Sequence, residues 1–245
     1  MLSQFYSSLW QEAMDRNVEN ILSLLAKNPA ARVVDVGCGD GKLTVRFKQQ
    51  VRCQKILGID GQHDRLKAAK DRGVDETICS DLEKKWSLST GSFDIVIANQ
   101  VIEHIVDLDH FMGQIHRILK PGGYCVISTE NLSSWHNIFA LTLGWQDFSH
   151  HMIKKRHVGN PFSLHYGEKT ASWSAKDHSG VDDSQYPHVK IFTYRSLIEA
   201  FEAYEFRFEK GYGSGYYTLY RGLGFFASRV DPTHSHFITV KMRKP

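Results

Sequence analysis

No run of apolar residues in this chain of 245 reaches the ~20 needed to cross a bilayer, so integral membrane association is not expected. Paired cysteines are missing as well. Cys38, Cys53, Cys79 and Cys125 show no C-x-x-C spacing, and no charged, apolar and small-residue leader opens the chain. That usage suits a reduced, cytoplasmic protein rather than a disulfide-stapled one. An excess of one sign is lacking too: the net charge is +3, and Lys and Arg are scattered without a stripe. Nucleic acid is therefore permitted but is not the expected partner. There is no internal repeat, and 42% hydrophobic content suits one domain, residues 1–245, with a proper core.

Against that plain background one stretch stands out, Arg32-Val33-Val34-Asp35-Val36-Gly37-Cys38-Gly39-Asp40-Gly41-Lys42. Val33, Val34 and Val36 form the continuous apolar run of a strand buried on both faces, as in a parallel sheet. Glycines at every second position then allow backbone conformations that a Cβ forbids, and a close approach of a ligand to the main chain. A helix starting near Lys42 would aim unpaired N–H groups at that ligand. Three glycines alone also fit a tight strand-to-helix turn with no ligand. The next strand, Lys55-Ile56-Leu57-Gly58-Ile59-Asp60, adds an acid about 20 residues on, where nucleotide-binding βαβ units place a carboxylate for ribose hydroxyls.

The spacing D-x-G-x-G-x-G differs from the dinucleotide fingerprint and resembles the first motif of the class I S-adenosylmethionine-dependent methyltransferases. Asp60 matches their ribose-binding acid and Ser80-Asp81-Leu82 their adenine-side segment. Phe93-Asp94-Ile95-Val96-Ile97-Ala98-Asn99 and Leu119-Lys120-Pro121-Gly122-Gly123-Tyr124 match the later motifs in order. Ile102-Glu103-His104-Ile105 and Arg117 to Gly123 resemble the bacterial branch related to ubiquinone-biosynthesis O-methyltransferases. Gly144-Trp145 and Gly159-Asn160-Pro161 look like members associated with surface-polysaccharide biosynthesis.

The resemblance implies an α/β fold: a Rossmann-like, doubly wound, seven-stranded sheet, mostly parallel, with a C-terminal antiparallel hairpin strand and a helical, aromatic substrate-cover insertion. The expected parts are an N-terminal helix (1–30), a cofactor core (31–130), the insertion (131–190) and C-terminal helix and strands (191–245). The implied cofactor is S-adenosyl-L-methionine, with Asp35, Gly37, Cys38, Gly39, Gly41, Asp60, Gly61, Asp81, Leu82, Asn99 and Gln100 as its binding residues. Asp81 equally fits a turn cap. In this family the leading helix often closes over the methionine end, which would bring Tyr6 or Trp10 to the cofactor; core packing explains both as well.

Along the chain, Ser3 to Ala26 shows apolar positions at helical spacing, and Asn28-Pro29 stops it. Crossover helices are expected over Lys42–Gln50, Asp64–Arg72 and Asp107–Leu119, and strands over Thr77–Cys79, Phe93–Ala98 and Tyr124–Ser128. Trp135, His136, Phe139, Trp145 and Phe148 form an aromatic helix or hairpin, followed by His150, His151 and His157. Lys169 to Tyr186 is polar and without period, as in a lid or a segment that orders on binding. Thr193 caps a helix over Tyr194–Tyr204, Phe206 and Phe208 alternate as in a strand, and Gly211 to Tyr217 is a Gly- and Tyr-rich part of the cover. A helical stretch to Val230 and a strand over His236–Met242 close the sequence.

A sulfonium methyl is already activated, so the protein's task is alignment and exclusion of water. A sugar or alkyl hydroxyl acceptor also needs a general base; a phenol needs less help. Histidine suits that role, and His104 after the fourth strand and His136 after the fifth are the catalytic candidates, with His188 behind them. Each also fits a structural role. The expected acceptor is a hydroxyl of a glycan-like or small phenolic molecule. Glu103-His104 suits a divalent ion too, as in RNA 2′-O-methyltransferases that carry Glu-x-x-Glu-His here. Gln100 replaces their first Glu, so no metal is assigned. A non-catalytic binding module would show damage to the glycine motif, which is intact.

Overall fold

The computed structural model describes residues 2–150, 159–161, 188–217, 219 and 221–245. Strands β1 (Val33–Val36), β2 (Ile56–Asp60), β3 (Glu76–Cys79), β4 (Phe93–Asn99), β5 (Leu119–Glu130), β6 (Arg207–Ser214) and β7 (Phe237–Arg243) form one sheet. Their order is β3-β2-β1-β4-β5-β7-β6. Val33 lies opposite both Ile56 and Ile95 in parallel register, and β7 runs antiparallel to β5 and β6. The valine run thus forms an interior strand beside the central β4, and the C-terminal ends of β1, β2, β4 and β5 share one edge.

Helices cover both faces. Phe111 and Ile115 of α4 (Leu108–Ile118) and Leu197 and Phe201 of α6 (Tyr194–Glu202) pack on Val34, Val96 and Ile127. On the other face Ile21 and Leu24 of α1 (Leu2–Leu24), Phe47 of α2 (Lys42–Val51) and Ala69 of α3 (His63–Asp71) meet Val33, Ile97 and Val126. Each fully buried Phe or Ile in these layers stabilises by about 1.5–3 kcal/mol. Asp107 caps α4 by accepting from His110 N (2.9 Å), and Thr193 and Ser196 form a capping box at α6. The remaining helices are α5 (Trp135–Thr142) and α7 (Arg221–Val230).

Two expectations change. Strand β5 starts at Leu119 rather than Tyr124, and a register jump between Phe93 and Ile95 absorbs Lys120–Gly123. Residues Gly211–Ser214, expected in the cover, belong to β6. A Cβ at Gly211 or Gly213 would run into Tyr194 or Ser235, so glycine, a weak strand former, is used for close packing. His151, His157 and segment 169–186 lie outside the described residues. Among the described residues no helix is long and apolar enough to cross a membrane, and the four cysteines are free thiols.

Candidate active site

The glycine loop lies between β1 and α2. Gly37 (φ +73°) and Gly39 (φ +54°) are both left-handed, but their surroundings differ. A Cβ on Gly37 would collide with Val101, whereas one on Gly39 would meet nothing within 4 Å. Gly37 is thus a packing glycine, whereas Gly39 faces open space at the mouth of the loop. Asp60, at the end of β2, braces the loop: Gly39 N donates to its Oδ2 and Gln62 N to its Oδ1, both at 2.9 Å. Asp35 is buried beneath, takes a hydrogen bond from Thr44 Oγ1 (2.6 Å), and is pushed up to about 7, chiefly by burial. Cys38 is buried, and desolvation raises its thiol well above the usual range. Gly41 leads into α2, Gly61 follows β2, and Cys79 donates to the Gly61 carbonyl (3.6 Å). Asp81 caps its own turn through Glu83 N (3.0 Å) beside Lys84, and Leu82 is half-buried against the core. These contacts leave the adenine-side role of Asp81 open.

Along the same edge, β4 delivers Asn99 and then Gln100, a non-glycine residue with φ +56°. Gln100 N donates to Ser128 O (2.9 Å), which ties the ends of β4 and β5 together. Asn17 of α1 is fully buried and reaches across this edge. Its Nδ2 donates to Asn99 Oδ1 (3.0 Å), and its Oδ1 accepts from Ser128 Oγ (2.7 Å) and Thr239 Oγ1 (2.8 Å). Asn17 is thus an α1 residue at this edge, and Trp10 packs on Phe237. The side chain of Tyr6 lies outside the described residues.

A 3-10 turn, Ile102–His104, follows β4. Glu103 is fully buried, accepts from Thr129 Oγ1 (2.9 Å) through Oε2, and has no hydrogen-bond partner on Oε1; burial raises its pKa. Its carbonyl accepts from Val189 N (2.8 Å), which seats His188 with its ring centroid 4.9 Å from that of His104. One donor atom each of Glu103, His104 and His188 lies within 4.8 Å of the others. His188 Nδ1 is 2.7 Å from the Ser149 carbonyl, which can only accept, so Nδ1 carries the proton. The same nitrogen lies 3.6 Å from Glu130 Oε2. Glu130 ends β5 and is buried, which pushes its pKa up to about 7 despite a hydrogen bond from Ser149. Asp147, held low by its hydrogen bonds to His150, pairs with that ring at 2.8 Å and raises its pKa in turn.

His136 belongs to a second group. Its Nε2 lies 3.1 Å from His236 Nδ1 and 3.3 Å from Ser134 Oγ, with Tyr217 tilted against both imidazoles. Tyr216 bonds to Trp135 and Asp231, so Tyr216 and Tyr217 join the insertion, whereas Tyr212 stays on β6 under Arg229. The expected candidates thus occupy one edge but not one contact: His104 stands with Glu103 and His188, and His136 with His236 and Tyr217. Sequence reasoning missed Asn17 and Glu130, whereas Tyr217 was expected in the cover. Glu130 carried a usable signal, since it ends a strand at the edge where ligands of such sheets bind.

Comparison with known proteins agrees with this architecture. A profile described as "Methyltransferase domain" matches residues 9–210. A ubiquinone biosynthesis O-methyltransferase of Rhodopseudomonas palustris (strain BisA53) is 32% identical over 132 residues, 53% of this chain and 49% of that protein. A malonyl-[acyl-carrier protein] O-methyltransferase of Methylovorus sp. (strain MP688) is 30% identical over 157 residues, 60% of this chain and 51% of its own. The chain spans about half the length of these two curated relatives. An S-adenosylmethionine-dependent methyltransferase from Mesorhizobium loti superposes with a TM-score of 0.59 at 20% identity, covering 96% of this chain and 99% of that one. With an open glycine loop, an acid closing β2 and a profile spanning most of its length, the chain belongs to the methyltransferase-domain family, the class I S-adenosylmethionine-dependent methyltransferases.

Proposed function

We propose that this protein transfers a methyl group from S-adenosylmethionine to a hydroxyl of a sugar-containing or small phenolic molecule. The carrying observation is that the open glycine loop after β1 and the acids and histidines after β4 and β5 lie at the same edge of the sheet. The main chain of Gly37–Gly41 with Asp60 would hold the donor, whose sulfonium supplies an already activated methyl. Asn99 and Gln100 border it, and Asp81 and Leu82 flank the adenine side. His104 and His136 stand on the acceptor side and orient the hydroxyl. The matched relatives are named as O-methyltransferases, which supports oxygen as the acceptor atom. Free thiols and the absence of any membrane-spanning helix among the described residues support a cytoplasmic setting.

The test is calorimetric binding of S-adenosylmethionine and its demethylated product, with Asp60→Ala as control, followed by transfer of labelled methyl to sugar and phenolic acceptors. Binding that disappears in Asp60→Ala, with label reaching a hydroxyl, is the expected result. Failure of the wild type to bind the donor would reduce the chain to the fold without the reaction. Label appearing on nitrogen would correct the acceptor atom.

A further inference from the structure

Strand alternation places Ser128 and Glu130 on the same face of β5, and Ser128 is bound to Asn17 above the ends of β4 and β5. Glu130 therefore stands two residues beyond the Asn17 network, on the same face of the sheet. The residue is 3% exposed. One oxygen is occupied by Ser149, but Oε2 has no hydrogen-bond partner among the described residues. The nearest imidazole proton, on His188 Nδ1, is committed to the Ser149 carbonyl at 2.7 Å and leaves Oε2 at 3.6 Å. The Tyr217 hydroxyl on the same side is likewise buried without a partner.

A buried carboxylate oxygen left bare costs free energy that a hydrophobic residue here would avoid, so it calls for an explanation. A hydroxyl entering from the acceptor side would supply the missing donor. We propose that Glu130 is the general base of the reaction, receiving the acceptor's hydroxyl proton on Oε2, while His188 and Ser149 hold the carboxylate in place. The inference rests on the hydroxyl-methylation reading above. In the step, the acceptor oxygen bonds the methyl carbon as the carbon–sulfur bond breaks with its electron pair left on sulfur. The O–H proton passes to Glu130, and S-adenosylhomocysteine leaves neutral at sulfur. Burial also makes Glu130 a stronger base than an exposed carboxylate.

Glu130→Gln keeps the shape and removes the base. Single-turnover transfer of labelled methyl would be compared, in wild type and variant, across a hydroxyl panel that includes methyl glucoside and 4-nitrophenol, the latter already ionised at pH 8. Proton removal matters for the glycoside and not for the phenolate, so the variant should lose at least about 100-fold on the first and less than about threefold on the second. Glu130→Asp should recover part of the loss, and donor affinity should be unchanged. An equal loss on both acceptors would make Glu130 merely structural and overturn the proposal, as would no loss on either. A wild type that binds the donor but methylates only 4-nitrophenol needs no base and also overturns it. A wild type that methylates nothing in the panel removes the parent reading and the role together.

Discussion

Alanine at Gly39 separates two things that glycine loops usually confound, backbone strain and ligand space. Its φ of +54° makes the backbone left-handed, and an L-residue there costs about 1–2 kcal/mol. With no atom within 4 Å of the new Cβ, no packing penalty is added. For a chain of this size that is a fall in Tm of roughly 2–8 °C, and the variant remains folded. The methyl, however, enters the open space proposed above for the donor. Forcing one methyl into a close-packed contact costs about 1–3 kcal/mol, so donor affinity should fall roughly 5- to 150-fold. Gly37→Ala is the counterpart: strain is similar, but the Cβ meets Val101, and the loss should appear mainly as stability, about 2–5 kcal/mol in all. Differential scanning calorimetry and isothermal titration with S-adenosylmethionine, on both variants, read the two effects separately. A Gly39→Ala protein that binds the donor as tightly as wild type would refute that placement of the donor.

Other expectations are independent of that one. His104→Ala should leave donor affinity within about twofold of wild type and lower single-turnover transfer at least tenfold, the reverse of Asp60→Ala; opposite rankings would show the roles to be exchanged. Asp35 has a folded-state pKa raised from 3.8 to about 7. It therefore contributes stability that is full below pH ~4 and is lost as pH rises to ~7, about 4 kcal/mol in all. Urea unfolding of Asp35→Asn between pH 5 and 8 should show a flatter profile than wild type, and an unchanged slope would mean that Asp35 is not the titrating group. Methyl transfer should survive dialysis against a chelator; loss restored by magnesium or manganese would assign an ion to Glu103, His104 and His188.

Much of the sheet was legible because buried parallel strands are written as short apolar runs: Val33–Val36, Ile56–Asp60 and Phe93–Asn99 appear where such runs occur. Strand β6 was harder. Its second half, Lys210-Gly211-Tyr212-Gly213-Ser214, lacks β-branched residues, and its place is set by the tight approach of Tyr194 and Ser235 rather than by propensity. The cofactor loop could be placed because its spacing is local. The acceptor side could not be read in the same way. Glu103 and His188 come together across 85 positions through a backbone bond from Val189, and Glu130 meets Ser149 and His188 by folding of the insertion. No periodicity in the sequence encodes those encounters.

The three bonds of Asn17 also have a meaning in time. Helix α1 can form early from its own residues, yet its seat is defined by partners 82, 111 and 222 positions downstream. The last of these, Thr239, lies on β7, which runs against both of its neighbours in the sheet. The seat of α1 is therefore complete only once β7 is in place, a contact of long sequence separation. Loosening β7, far along the sequence from any glycine, would undock α1 and leave the edge at the ends of β4 and β5 open to water.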